Sequence, residues 1–220
     1  LEGIDLMLDG MAKLLPSAKD KAGEIAVDAN EEPVEIECDE NAPLAAYVFK
    51  TVADPFVGKL SYFKVVSGKL SPEVAPVNAR TGQPERLGKM LCVRGKKQEE
   101  VKYIGAGDIG AVTKLSETKT GDTLCDPKRV VSFEKTNFPA PTLSMAIKAK
   151  AKGDEGKIAQ GIARLMEEDM TIAFEQNNET HQQVLTGLGE QHLDVIISKL
   201  KSKFGVDASL TRPRVAYRET

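Results

Sequence analysis

The hydrophobic period of this chain changes once, at "NFPAPT" (137–142), and that change divides what the chain can fold into. Before it, runs such as "LAAYVFKTVAD", "GKLSYFKVVSG", "RLGKMLCVRG" and "RVVSFEK" follow one another with glycines at the breaks. Strand-like runs at a spacing of roughly 8 to 12 residues predict an all-β barrel or sandwich, and we assign a β-barrel to residues 43–138. After the change the order is strand "LSMAIKAK", helix "DEGKIAQGIARLMEED", strands "MTIAFEQ" and "HQQVLTG", helix "GEQHLDVIISKLKSKF", strand "VDASLT". The first helix carries Ile158, Ile162, Leu165 and Met166 on one stripe with Asp154 at its N-cap; the second turns Leu193, Ile196, Ile197, Leu200 and Phe204 inward. A β-α-β-β-α-β order predicts a ferredoxin-like sandwich over residues 139–214, two helices covering one face of a four-stranded sheet.

The first 42 residues follow neither pattern. "LEGIDLMLDG" opens inside an amphipathic helix (Ile4, Met7, Leu8, Met11, Leu14), without an initiator Met, as expected of a segment continuing from an earlier domain. Pro16 ends that helix, and "EIAVDANEEPVEIECDEN" reads as an acidic linker. Cys38, Cys92 and Cys125 are odd in number and never paired as Cys-x-x-Cys, which argues against a disulfide framework or a structural zinc site and fits a cytoplasmic protein. The longest apolar stretches, such as "PLAAYVF" (43–49), fall far short of the ~20 residues of a membrane span. With a net charge of −3, no global field draws the chain to nucleic acid, so any RNA contact must be local.

The stretch "TGLGEQHLD" (186–194) concentrates residues that carry chemistry elsewhere. Gly187 and Gly189 sit between a strand and a helix, where free N–H groups attract anions, but the third glycine of a dinucleotide loop and any Gly-Lys-Ser/Thr are missing. A tight turn is the better reading. Glu190 and His192 are two apart, which points them about 200° away from each other on a helix, and the other histidine, His181, lies on the preceding strand. Neither a metal site nor an acid/base pair is expected, although a stand-alone enzyme using Glu190 and His192 is kept as the rival reading. Glu190 suits the first turn of a helix dipole, and His192, off the inward stripe, should be partly exposed and contribute little to the core. The strands "LSMAIKAK" and "HQQVLTG" offer no aromatics for stacking bases on an open sheet face. Basic residues gather towards the C-terminus at Lys199, Lys201, Lys203, Arg212, Arg214 and Arg218, a solvated face or a local phosphate contact.

Three long segments resemble elongation factor G and related translational GTPases: "DPFVGKLSYFKVVSGKL" (54–70), "AGDIGAVTKLSETKTGDTL" (106–124) and residues 163–220 from "ARLMEEDMTIAFEQNNETHQQVLTGLGEQHLDV" onward. The resemblance runs almost end to end. It implies the C-terminal helix of a GTPase domain with an acidic linker at 1–42, barrel domain II at 43–138, ferredoxin-like domain III at 139–214, and the start of domain IV at 215–220. It also implies a ribosomal translocase whose GTP and magnesium are held by a GTPase domain these residues do not encode, so no catalytic, cofactor or metal residue is assigned here. The partners implied are small-subunit ribosomal RNA and protein, the factor's own GTPase domain and domain IV, with the protein a cytoplasmic monomer. By the same resemblance Gly187, Glu190, His192, Ile196 and Lys199 face the GTPase domain, and Arg212 and Arg214 are candidate ribosome contacts. Gln191 stands where the family usually has Leu, and Lys199 where Arg is usual, which would weaken a bidentate contact. These departures and the "LCVRGKKQEEV" loop (91–101) suggest a divergent paralogue; a ribosome-protection protein of the same family is the alternative.

Overall fold

The computed structural model describes residues 2–21, 23–54, 58–95, 97–151 and 153–217. It divides into two compact units: Leu1–Phe49, Tyr62–Thr118 and Asp122–Glu134 form the first, and Lys50–Ser61, Lys119–Gly121 and Lys135–Thr220 the second. No helix among the described residues is long and apolar enough to cross a membrane.

In the first unit, α1 (Ile4–Leu14) stops where Leu15 turns extended ahead of Pro16, as the proline's steric demand on its predecessor requires. None of its residues is buried, and Leu6, Met7, Leu8 and Leu14 are exposed. The strands that follow are β1 (Glu24–Asp28), β2 (Pro33–Ile36), β3 (Ala45–Asp54), β4 (Gly58–Ser67), β5 (Lys69–Leu70), β6 (Val77–Asn78), β7 (Met90–Arg94), β8 (Lys97–Glu100), β9 (Ile104–Gly105), β10 (Ile109–Thr113), β11 (Thr123–Cys125) and β12 (Val131–Phe133), with the end of β3 and the start of β4, within Lys50–Ser61, counting with the second unit. Seven of them make one sheet in the order β6-β11-β3-β4-β10-β7-β8, and β5 pairs with β9. Leu44, Val48, Phe63, Val65, Met90 and Leu124 lie in the core of this barrel.

The segment read as an acidic linker is instead part of this unit. β1 and β2 form an antiparallel hairpin, and β1 also pairs with β12, aligning Ala26 with Phe133. Alternation within "EIAVD" turns Ala26 inward, onto a second small core with Ile36, Val66 and Val131, while Ile25 and Val27 face out. The turn is set by Asp28, whose carboxylate accepts the N–H groups of Asn30 and Glu32 at 2.8 and 3.0 Å. The acidic and proline residues that suggested a connector occupy the outward positions and the turn.

In the second unit β13 (Leu143–Ala149), α2 (Glu155–Glu168), β14 (Ala173–Asn177), β15 (Gln182–Gly187), α3 (Glu190–Phe204) and β16 (Ala208–Thr211) follow in the expected order. The sheet is antiparallel with strand order β14-β15-β13-β16. Ile158, Ile162 and Leu165 of α2 and Leu193, Ile196 and Leu200 of α3 pack on Ile147 and Leu185 to form its core. The helices come close because α2 places Gly161 at the contact, where a β-carbon would stand 2.5 Å from Leu200 Cδ1. Asp154 occupies the N-cap position of α2 but makes no side-chain cap; its carboxylate pairs with Lys157 at 2.8 Å. On the uncovered face of the sheet Ser144 bonds Thr186 at 3.0 Å, and Phe174, the aromatic of β14, packs into the core instead.

Candidate functional site

Two polar clusters, one hydrogen-bonded and one ion-paired, join the C-terminal end of α2 to α3, and they start from the consecutive carboxylates Asp169 and Glu168. Asp169 ends α2: its N–H reaches Leu165 O while its backbone turns extended. One carboxylate oxygen, Oδ1, accepts both the N–H and the hydroxyl of Thr171, at 2.9 and 2.6 Å. The other, Oδ2, lies 3.0 Å from His192 Nε2. On the far side of the ring His192 Nδ1 accepts the Leu188 N–H at 3.0 Å. A backbone N–H can only donate, so Nδ1 is the acceptor, and the ring hydrogen sits on Nε2, pointing at Asp169. Burial pushes the Asp169 carboxyl up, but the Thr171 bonds and the His192 contact outweigh it and hold the group below its ordinary value.

Glu168 is held more tightly. Its Oε1 accepts from Lys199 Nζ at 3.1 Å, and its Oε2 accepts from Lys203 Nζ at 2.7 Å and from the Ala53 N–H of the same unit at 3.1 Å. Lys199 and Lys203 are one helical turn apart, so both ammonium groups converge on one carboxylate. Burial raises this carboxyl too, and the two lysines with the Ala53 N–H together bring it below the usual range.

Gly187 ends β15 hard against the start of α3. A β-carbon there would stand 2.8 Å from Leu193 Cδ2 and 3.0 Å from His192 Nδ1, so the glycine is needed for close approach rather than for a phosphate. Gly189, at the N-cap of α3, has extended φ and ψ and open space beside it.

The residues assigned from sequence therefore separate. Glu190 is exposed at the first turn of α3 and is not a partner of the His192 ring, whose bonds go to Asp169 and Leu188. His192 is partly exposed and outside the core cluster, as expected, but its side chain, 18% exposed, is bonded at both nitrogens. Ile196 is fully buried in the core and presents nothing to a partner. Lys199 is half-buried and paired with Glu168, which it shares with Lys203. Arg212 and Arg214 are exposed, and the Arg214 N–H donates to Gln182 Oε1 at 2.7 Å. Arg218 lies outside the described residues, as do the last three positions of the segment assigned to domain IV. No group of three or more His, Cys, Asp or Glu arranged to hold a metal occurs among the described residues. Glu168 and Asp169 were missed because they lie 31 and 23 positions from their partners; an Asp just past a helix with Thr two residues on is the one local sign, since that spacing makes an Asx turn.

The chain holds a β-barrel followed by a ferredoxin-like sandwich whose two helices are fastened at one end by polar clusters. Residues 43–127 match the family described as elongation factor G domain 2, and residues 138–212 match elongation factor G, domain III. The chain belongs to the elongation factor G family of translational GTPases, and the domains matched are non-catalytic ones. Its fold is similar to a crystal structure of a protein from Thermus thermophilus, with a TM-score of 0.74 and 26% identity, covering 97% of this chain and 30% of that one. The chain thus spans less than a third of that protein's length.

Proposed function

We propose that these residues are the ribosome-contacting and coupling domains of an elongation factor G-like translocase. In this reading the barrel rests on small-subunit ribosomal RNA, and the start of α3 abuts the factor's own GTPase domain and passes its nucleotide state on towards domain IV. GTP and magnesium are bound by that GTPase domain and not by these residues; the protein is a cytoplasmic monomer.

The observation that carries the reading is the double fastening of α3 to the end of α2. Coupling needs an element that moves as one piece and meets its partner differently in two states. Here His192 and Lys199 are struts that hold the surface, while Leu188, Glu190 and Met170 are the exposed side chains it presents. In the complete factor, His192→Ala should lower ribosome-stimulated GTP turnover and translocation together. Unchanged rates for both would remove the α3 start from the coupling route. Tight, magnesium-dependent binding of labelled GTP by the 220-residue chain would overturn the assignment of nucleotide binding to another domain. A ribosome-protection protein would carry the same two domains, and release of a ribosome-bound antibiotic without translocation would favour it.

A further inference from the structure

The far end of β15 from Gly187 opens into two hollows that share His181. One, about 430 Å³, is lined by Gln176, Gln182, Gln183, His181, Lys148 and Glu155, with Ile147 and Ala149 as apolar wall. The other, about 570 Å³, runs past Glu179, Thr180 and His181 to Arg214 and Tyr217. The Gln182 amide ties the two together by accepting the Arg214 N–H.

Three features set this region apart from the rest of the unit. Gln176 and Gln183 are directly opposed across β14 and β15, continuing the core-facing row after Phe174 and Leu185, so amides stand where the apolar core runs out. The Thr180 hydroxyl is buried without a hydrogen-bond partner among the described residues. And the cations here stand apart: Lys199 and Lys203 share Glu168, and Lys201 and Lys150 share Asp207, whereas Lys148 and Arg214 are in no ion pair among the described residues.

We propose that these hollows bind single-stranded RNA, one unstacked base entering the amide-lined hollow and its phosphate lying on Arg214 and Lys148. This rests on the ribosome-contacting reading above and names the chemistry of the contact. A volume of about 430 Å³ falls in the range of roughly 300 to 1,000 Å³ usual for ligand pockets. Each glutamine amide offers both donors and an acceptor, which is what the edge of a base presents in return. Sequence-specific RNA recognition works on such splayed-out bases. The Glu155 carboxylate, which lines the same hollow, adds an acceptor for the N–H donors of a base edge. Tyr217, 90% exposed, offers a ring on which a neighbouring base can stack.

The test is NMR of the isotope-labelled 220-residue chain, following the side-chain amide signals of Gln176, Gln182 and Gln183 during titration with a mixed-sequence RNA pentamer at low salt. RNA should shift the Gln176 and Gln183 signals. The double variant Gln176→Ala/Gln183→Ala should bind at least about tenfold more weakly, and Arg214→Ala should lower the slope of log affinity against log salt by about one. Melting curves confirm that each variant folds, and Arg214→Ala, a change on the exposed tail, serves if the double variant does not. The proposal falls if RNA leaves the amides unmoved, if a pentaglutamate peptide or inorganic phosphate moves them equally, or if the variants bind as the parent does. Co-sedimentation with ribosomes separates the two claims. Ribosome binding without amide shifts overturns the site alone, whereas amide shifts without ribosome binding uphold the site and overturn the broader reading.

Discussion

His192 Nε2 lies 3.0 Å from Asp169 Oδ2, and on its opposite side the same ring accepts the Leu188 N–H. One side chain thus ties a helix end, a helix start and the strand-to-helix loop. His192→Ala should cost about 1–2 kcal/mol, more than an ordinary surface change, because two hydrogen bonds in a half-buried place are lost. Asp169→Asn should cost less, since the Thr171 turn can survive on the remaining oxygen. In urea unfolding of the two single variants and the double, the shortfall from additivity should fall within about 0.5–3 kcal/mol. Strict additivity would mean that the pair does not interact.

Glu168 should make the second unit acid-labile. Its carboxyl is held below the ordinary value of 4.5, so its contribution is complete above pH 4.5 and is lost as the pH falls through the lowered folded value. Glu168→Gln should therefore be less stable than the parent at neutral pH, by about 1–2 kcal/mol, and the two curves should converge in strong acid. A gap that stays constant with pH would show that charge is not what matters at this position.

Gly187→Ala should destabilise by about 1–3 kcal/mol, because the new methyl meets Leu193 Cδ2 and His192 Nδ1 inside normal contact distance. The backbone there needs no left-handed geometry, so the penalty comes from packing. A second substitution, Leu193→Ala, should recover part of it in a thermal melt of the double variant, and no recovery would point to a backbone cause.

Removing residues 1–42 should weaken the barrel, although the family match for this domain begins at residue 43. Without β1 and β2, the buried faces of Val131 and Phe133 lose their cover. The shortened chain should bind a hydrophobic dye at neutral pH, which the parent should not. Equal dye binding and equal melting would return the segment to the status of a linker.

Periodicity made the fold of the second unit readable, since each of its helices and strands repeats at its own period over several residues. Where the period is hidden, the reading failed: "EIAVD" puts its small Ala26 inward and its large Ile25 and Val27 outward, the reverse of the usual signal. β8 carries four exposed charged or amide residues at a sheet edge, and β11 is three residues long, too short for alternation to register. The candidate site was legible as a place but not as an arrangement. Sequence spacing located Glu190, His192 and Lys199 on one helix, while the carboxylates that fix His192 and Lys199 come from another and are brought near only by the packed core. Ile196 shows the converse error, a position carried over as a contact that the helical stripe itself had already turned inward.

The pairing of β1 with β12 joins Ala26 to Phe133, 107 residues apart in sequence. A chain emerging from the machine that makes it exposes β1 first and must wait for the rest of the barrel before this partner exists. Until then β1 has β2 alone, and a lone two-stranded hairpin is marginal in water. Closing so long a loop is slow compared with local structure, so the last step in building the barrel is the clasping of its first strand by its last. Ribosomes stalled before and after Phe133 has left the exit tunnel would carry a nascent barrel that is, respectively, open to protease at residues 24–36 and closed to it.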